Sequence, residues 1–169
     1  MNGDGDNLDV FMDKTTDFNF KLILVGNSRV GKTSVIKRYI SDEFDDNEES
    51  SSVVQIQHKL FTIPNSVPTQ MAELHVWDTL GQEKFQAISG IFFKGTSGAF
   101  LVFDLTNQKS FDDLEKWYSK IEQNCESKVV VMLIGNKCDL PNRVISYEQA
   151  RDFAQQKGFS YTEVSAKTG

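Results

Sequence analysis

The 169-residue sequence predicts an α/β domain built on a doubly wound, mostly parallel six-stranded sheet. Three observations predict it. Short apolar runs alternate with stretches of helical periodicity in the order β-α-β-β-(α)-β-α-β-α-β, which gives parallel strands joined by helices. The runs are nearly continuously apolar, as strands covered on both faces are. Between the first run and the first helix stands Gly26-Asn27-Ser28-Arg29-Val30-Gly31-Lys32-Thr33, a Gly-x4-Gly-Lys-Ser/Thr string.

Residues 1–17 read as an acidic flexible tail, with Asp4, Asp6, Asp9, Asp13 and Asp17 set among Gly and Asn and one apolar cluster, Val10-Phe11-Met12. Phe18 to Val25 is the first strand. Val35, Ile36, Tyr39 and Ile40 recur at helical spacing, so a helix runs from about Gly31 to Ser41. Asp42 to Ser52 is acidic, serine-rich and aperiodic, a loop long enough to suggest function. Val53 to Ile63 and Met71 to Trp77 form a hairpin around Pro64-Asn65-Ser66-Val67-Pro68. His58 and His75 lie in it and read as strand-face residues, without a catalytic or metal role, since no partner cluster surrounds them. Asp78 to Gly98 is irregular, and Ala99 to Asp104 is a buried strand.

Ser110 with Asp113 reads as a capping box opening a helix whose stripe is Phe111, Leu114, Trp117, Tyr118 and Ile121. Val129 to Ile134 is a strand. Ser146 with Gln149 caps a helix with Ala150, Phe153 and Ala154 on its core side, and Gly158 stops it. Phe159 to Val164 is the last strand.

Composition narrows the function classes. With 39% apolar and 25% charged residues the chain is globular, and a net charge of −6 argues against a nucleic-acid partner. Cys125 and Cys138 are too few for a disulfide scaffold, which suits a reducing compartment. No apolar stretch approaches the ~18 residues of a membrane span.

The glycine-punctuated loop makes an anion site from backbone. Its N–H groups turn inward around a phosphate and the helix N-terminus adds its dipole. Ser28, Val30, Gly31, Lys32, Thr33 and Ser34 are the phosphate-binding candidates, with Lys32 reaching the outer phosphates and the Thr33 hydroxyl on a magnesium ion. Trp77-Asp78-Thr79-Leu80-Gly81-Gln82-Glu83 ends another strand. Asp78 there is a second magnesium candidate, Gly81 a γ-phosphate donor, and Gln82 the residue that orients an attacking water. Asn136-Lys137-Cys138-Asp139 follows a further strand. The Asp139 carboxylate suits the N1–H and exocyclic amine of guanine, a donor pair adenine lacks, and this disfavours an ATP-using enzyme. Ser165-Ala166-Lys167 follows the last strand, where a backbone N–H can meet guanine O6 and Ser165 can steady Asp139.

In this order and spacing these motifs resemble the Ras superfamily of small GTPases, the Rab family most closely, over about residues 18–169. Lys84-Phe85-Gln86-Ala87-Ile88, Phe92-Phe93-Lys94-Gly95, Phe103-Asp104-Leu105-Thr106 and Gly135-Asn136-Lys137-Cys138-Asp139-Leu140 carry the Rab likeness. The resemblance implies a phosphate-loop nucleoside-triphosphatase G domain acting as a GTP/GDP switch with Mg2+ and slow intrinsic hydrolysis, in vesicle traffic. It implies effectors, exchange factors and GTPase-activating proteins in trans, and a cytoplasmic location at the cytosolic face of endomembranes. It assigns Phe44 to the guanine edge, the Lys137 stem to the base, Asn136 to a tie between base and phosphate loops, Lys167 to the guanine loop, and Gln82 to catalysis. An ungapped count from Thr33 assigns Ser51 to magnesium, with Ser50 or Ser52 the alternative in another register.

The departures from the family pattern are specific. Ser51 lacks the threonine methyl. Val53-Val54-Gln55-Ile56 replaces Gly-Val-Asp-Phe. Leu80 replaces an alanine beside Gly81. Asp42 to Glu49 is acidic enough to repel a triphosphate. These changes motivate the alternative of a nucleotide-bound effector-binding module with little or no hydrolysis. The family's last helix and prenylated tail are absent after Gly169. The expectation is therefore a longer native polypeptide, with membrane association only through a lipidated tail beyond this chain.

Overall fold

A computed structural model describes residues 16–46, 55–78, 92–125 and 128–169. Strands β1 (Phe18–Val25), β2 (Gln55–Thr62), β3 (Met71–Asp78), β4 (Thr96–Asp104), β5 (Val130–Asn136) and β6 (Ser160–Glu163) form one sheet in the order β2-β3-β1-β4-β5-β6. Only β2 runs antiparallel, against β3; the other pairs are parallel. Among the described residues the helices are α1 (Lys32–Ser41), α2 (Gln108–Asp112), α3 (Leu114–Asn124) and α4 (Tyr147–Lys157).

The period of two along each strand divides the core. Ile23, Val25, Ala99, Leu101, Phe103, Val131 and Leu133 face one way, onto Leu114, Trp117 and Ile121 of α3 and Ala150 and Ala154 of α4. Leu24 and Val76 face the other way, onto Ile36 of α1. Both faces are therefore lined with apolar side chains, and the carboxyl end of β1, Ile23 to Val25, is buried because it lies inside the sheet with a helix over each face. The strand order reverses at β1. In such sheets the carboxyl ends at the reversal form a crevice, and the glycine loop opens directly from β1 there.

Several sequence expectations stand. Ser146 Oγ accepts the Gln149 N–H at 3.1 Å, and Gly158 ends α4 at φ 72°. β1 occupies the expected residues. The strand β4 begins three residues earlier than its apolar run, at Thr96, because pairing with β1 recruits Thr96 and Gly98, with Ser97 at a register shift between them.

The capping box at Ser110 is corrected. The cap is Asn107, whose side chain accepts the Ser110 N–H, and Ser110 itself is buried inside α2. Its hydroxyl accepts the Asp104 N–H at 3.0 Å and lies 2.7 Å from the Asn107 carbonyl, tying the helix back to β4. Asp113 does not reach back to the Ser110 N–H; its carboxylate accepts from Asn27, 86 residues away in sequence. A long-range bond has displaced the local one. Residues 1–15, with the Val10-Phe11-Met12 cluster, lie outside the described residues.

Candidate functional site

The loop after β1 is shaped by two glycines. A Cβ on Gly26 (φ 147°) would lie 2.1 Å from the Val102 carbonyl oxygen, and one on Gly31 (φ 90°) would lie 2.3 Å from Asn136 Nδ2. Any other residue would push the loop off β4 or off Asn136. Val30 is buried between the two, packed with Val102 and Ile134. Lys32 is buried, and its Nζ donates to the Gly26 and Asn27 carbonyls at 3.1 and 2.9 Å. The ammonium therefore arches over the ring of the loop. Ser28 and Ser34 are half-buried beside it.

Two residues away from that ring, α1 meets β3. Thr33 Oγ1 donates to Asp78 Oδ2 at 2.5 Å, and Asp78 is fully buried. A hydroxyl and a carboxylate at this spacing form a hard-oxygen pair. That donor set fits magnesium, which takes few protein ligands and keeps several waters.

A second rim comes from β5 and β6. Asn136 is buried; its Nδ2 donates to the Val30 carbonyl at 2.8 Å and its Oδ1 accepts the Ala166 N–H at 3.2 Å. One amide thus bonds the glycine loop on one side and the Ser165-Ala166-Lys167 loop on the other. Backbone bonds brace the same junction: Cys138 N–H to the Val164 carbonyl, and Val164 N–H to the Gly135 carbonyl. Lys137 takes a left-handed φ of 67° that turns its side chain back over the glycine loop. Its Nζ donates to the Arg29 carbonyl at 3.0 Å and pairs with Asp104 at 2.6 Å. Asp139 is exposed, its carboxylate open to solvent at the edge of this rim.

Ser165 Oγ accepts the Lys167 and Thr168 N–H groups at 3.2 and 3.0 Å, which folds the loop on itself. Arg38 of α1 then clasps that loop, donating to the Ala166 and Lys167 carbonyls at 2.9 and 3.1 Å. Lys167 Nζ reaches Asp46 at 3.0 Å, so part of the acidic stretch carries its own counter-charge. Phe44 is half-buried in the segment between them. Ser51, Leu80, Gly81 and Gln82 lie outside the described residues.

Three contributors escape the sequence reading. Asn27 is buried; it donates to Asp113 at 2.8 Å and accepts the Trp117 indole N–H at 2.7 Å, which pins the glycine loop to α3. Asp104 anchors Lys137 and accepts both the N–H and the hydroxyl of Thr106. Arg38 closes the far side. Apart from the local Thr106 hydroxyl bond, each of these joins residues distant in sequence or faces a backbone atom, so no local pattern announces it.

The sequence that carries this site is similar to known proteins. The Ras family model matches residues 21–169. The chain belongs to the Ras family. Its similarity to Rab proteins places it on the Rab branch. It is 41% identical to Ras-related protein Rab-10 of Caenorhabditis elegans, over 89% of this chain and 74% of that protein. It is 40% identical to Ras-related protein Rab-8A of Bos taurus, over 92% and 74%. Against Ras-related protein RABA4d of Arabidopsis thaliana it is 37% identical, over 89% and 66%. The Rab-branch chain is thus a GTPase-family G domain with a phosphate loop.

Proposed function

We propose that this Rab-branch chain is a GTP/GDP switch with slow intrinsic hydrolysis, serving membrane traffic from the cytosolic face of endomembranes. The observation that carries the reading is the Asn136 amide, bonded at once to Val30 of the glycine loop and to Ala166. A ligand spanning those loops needs phosphates at one end and a base at the other. In this reading Asp139 accepts from guanine, the Ala166 N–H meets its O6, Phe44 and the Lys137 stem flank the ring, and Ser165 and Lys167 hold the loop.

Ser28, Val30, Gly31, Lys32, Thr33 and Ser34 cradle the phosphates, with Gly81 at the γ position. Thr33, Asp78 and Ser51 would hold Mg2+, which when bound supplies positive charge to the β- and γ-oxygens. Lys32 is already stripped of water and held by backbone carbonyls, so its charge is poised for a phosphate oxygen. Gln82 orients a water for in-line attack, and the bond from the γ-phosphorus to the bridging oxygen breaks as the water's forms. Without an arginine assigned to the transferring group, unassisted turnover is about 10⁻⁴ to 10⁻² s⁻¹, and a GTPase-activating protein accelerates it. Exchange factors and effectors complete the cycle, with membrane association only if a lipidated tail exists beyond this chain.

Single-turnover release of labelled phosphate tests this. Gln82→Leu is expected to slow it at least about 10-fold. Indistinguishable rates would favour the alternative, a nucleotide-loaded binding module in which Leu80 and Ser51 hold the switch still.

A further inference from the structure

The sequence contains two histidines, His58 and His75. The hairpin register sets them directly opposite each other across β2 and β3. Alternation puts Glu73, two residues before His75, on the same face. The chain's whole complement of imidazole is thereby gathered at one point with a carboxylate, a grouping invisible until the register is known. This corrects the expectation that no partner cluster surrounds the histidines.

The geometry is that of a ligand set. His58 Nδ1 lies 3.2 Å from Glu73 Oε1, and His75 Nε2 lies 3.2 Å from Glu73 Oε2. One ligand atom from each residue lies within 4.8 Å of the other two. A tetrahedral ion with bonds of about 2.0–2.1 Å needs ligand atoms about 3.3 Å apart, and each histidine nitrogen already stands at that distance from its own Glu73 oxygen, so one edge is formed through either oxygen. The imidazoles meet edge to face with centroids 4.6 Å apart, and His58 and His75 side chains are 53% and 32% exposed, which leaves an entry path.

We propose that His58, Glu73 and His75 form a second cation site, for a borderline divalent transition metal, with Zn2+ its representative. Two nitrogens and one carboxylate are a ligand set that zinc accepts with a fourth position left to water. Magnesium prefers oxygen ligands and does not compete for imidazole. The neighbouring cation is Lys21 of β1, in register with His75. Its Nζ is turned away, donating to the Lys94 carbonyl at 3.0 Å and lying 4.1 Å from the Trp77 ring centroid. β2 is the edge strand, so an ion there staples the sheet's outermost pair.

The test uses the whole chain as isolated, in excess Mg2+, titrated with Zn2+ while the imidazole proton resonances are followed. Two histidines give two signals. Both are expected to move together and saturate at one equivalent. His58→Gln and Glu73→Gln should each weaken binding at least about 10-fold, while Cys138→Ser leaves it unchanged. Zinc should also raise the melting temperature of the parent chain and not of His58→Gln. Immobile resonances, movement of one histidine alone, or binding that persists in both variants and vanishes in Cys138→Ser would overturn the proposal.

Discussion

The strand β3 serves two clusters of opposite character. Its carboxyl end delivers Asp78, fully buried and bonded to Thr33. Three residues earlier it delivers His75, which with Glu73 and His58 opens to solvent. The first cluster is hard oxygen held where α1 meets β3; the second is borderline imidazole nitrogen with a carboxylate, held by a single hairpin. The difference teaches what each arrangement depends on. The rim around Asn136 is a product of the whole fold, since residues 30, 136 and 166 come from three separate connections. The histidine cluster needs only the β2–β3 register. Damage to the core should therefore loosen the first before the second.

The largest effect should come from the base end of the rim. Asp139→Asn leaves the fold intact and is expected to weaken GTP about 10³-fold while favouring xanthine nucleotides, read by nucleotide displacement. Unchanged GTP affinity would break the comparison, because the rim would then not be reading guanine. Next is Asn136→Ala. It removes two bonds and strands the Val30 carbonyl and Ala166 N–H, so about 2–3 kcal/mol of stability should be lost in a urea titration, with nucleotide affinity falling too. The zinc response of the hairpin should survive that substitution, which separates the clusters experimentally.

The smallest effect belongs to an ion pair in neither cluster. Arg143 grips both oxygens of Glu163, and the Tyr161 hydroxyl donates to one of them. Burial pushes the Glu163 carboxyl up, but the bonds from Arg143 and Tyr161 outweigh it and hold the group below its usual range. A carboxyl lowered on folding stabilises above its unfolded pKa, about 4.3, and that stability is lost as pH falls through the lower folded value. Glu163→Gln should cost about 0.5–1 kcal/mol at neutral pH and show a flatter acid limb in thermal melts.

Much of this was legible in the sequence, for a physical reason. β1, the glycine loop and α1 are set by neighbouring residues, through apolar runs, glycines and helical spacing. Ser146 and Gly158 act locally as well, and they frame α4 as their types demand. Ser110 misled because its hydroxyl has buried backbone partners that outcompete the exposed cap. Asn27, Asp104 and Arg38 were hidden because a polar side chain says nothing of a partner brought to it from another element of the fold. His58 and His75 were read singly, since pairing across a hairpin depends on the turn between them as much as on either strand.

The bond from Trp117 to Asn27 has an optical consequence. The chain has two tryptophans, and each stands in one of the two regions compared above. Trp117 is sealed in the core with its indole N–H committed to the glycine loop. Trp77 lies half-buried on β3, edge-on to Phe92 and under the Lys21 ammonium. With Trp77 replaced by phenylalanine, the remaining emission reports the state of the phosphate end; with Trp117 replaced, it reports the hairpin. The molecule carries its own pair of lamps, one for each half of the question.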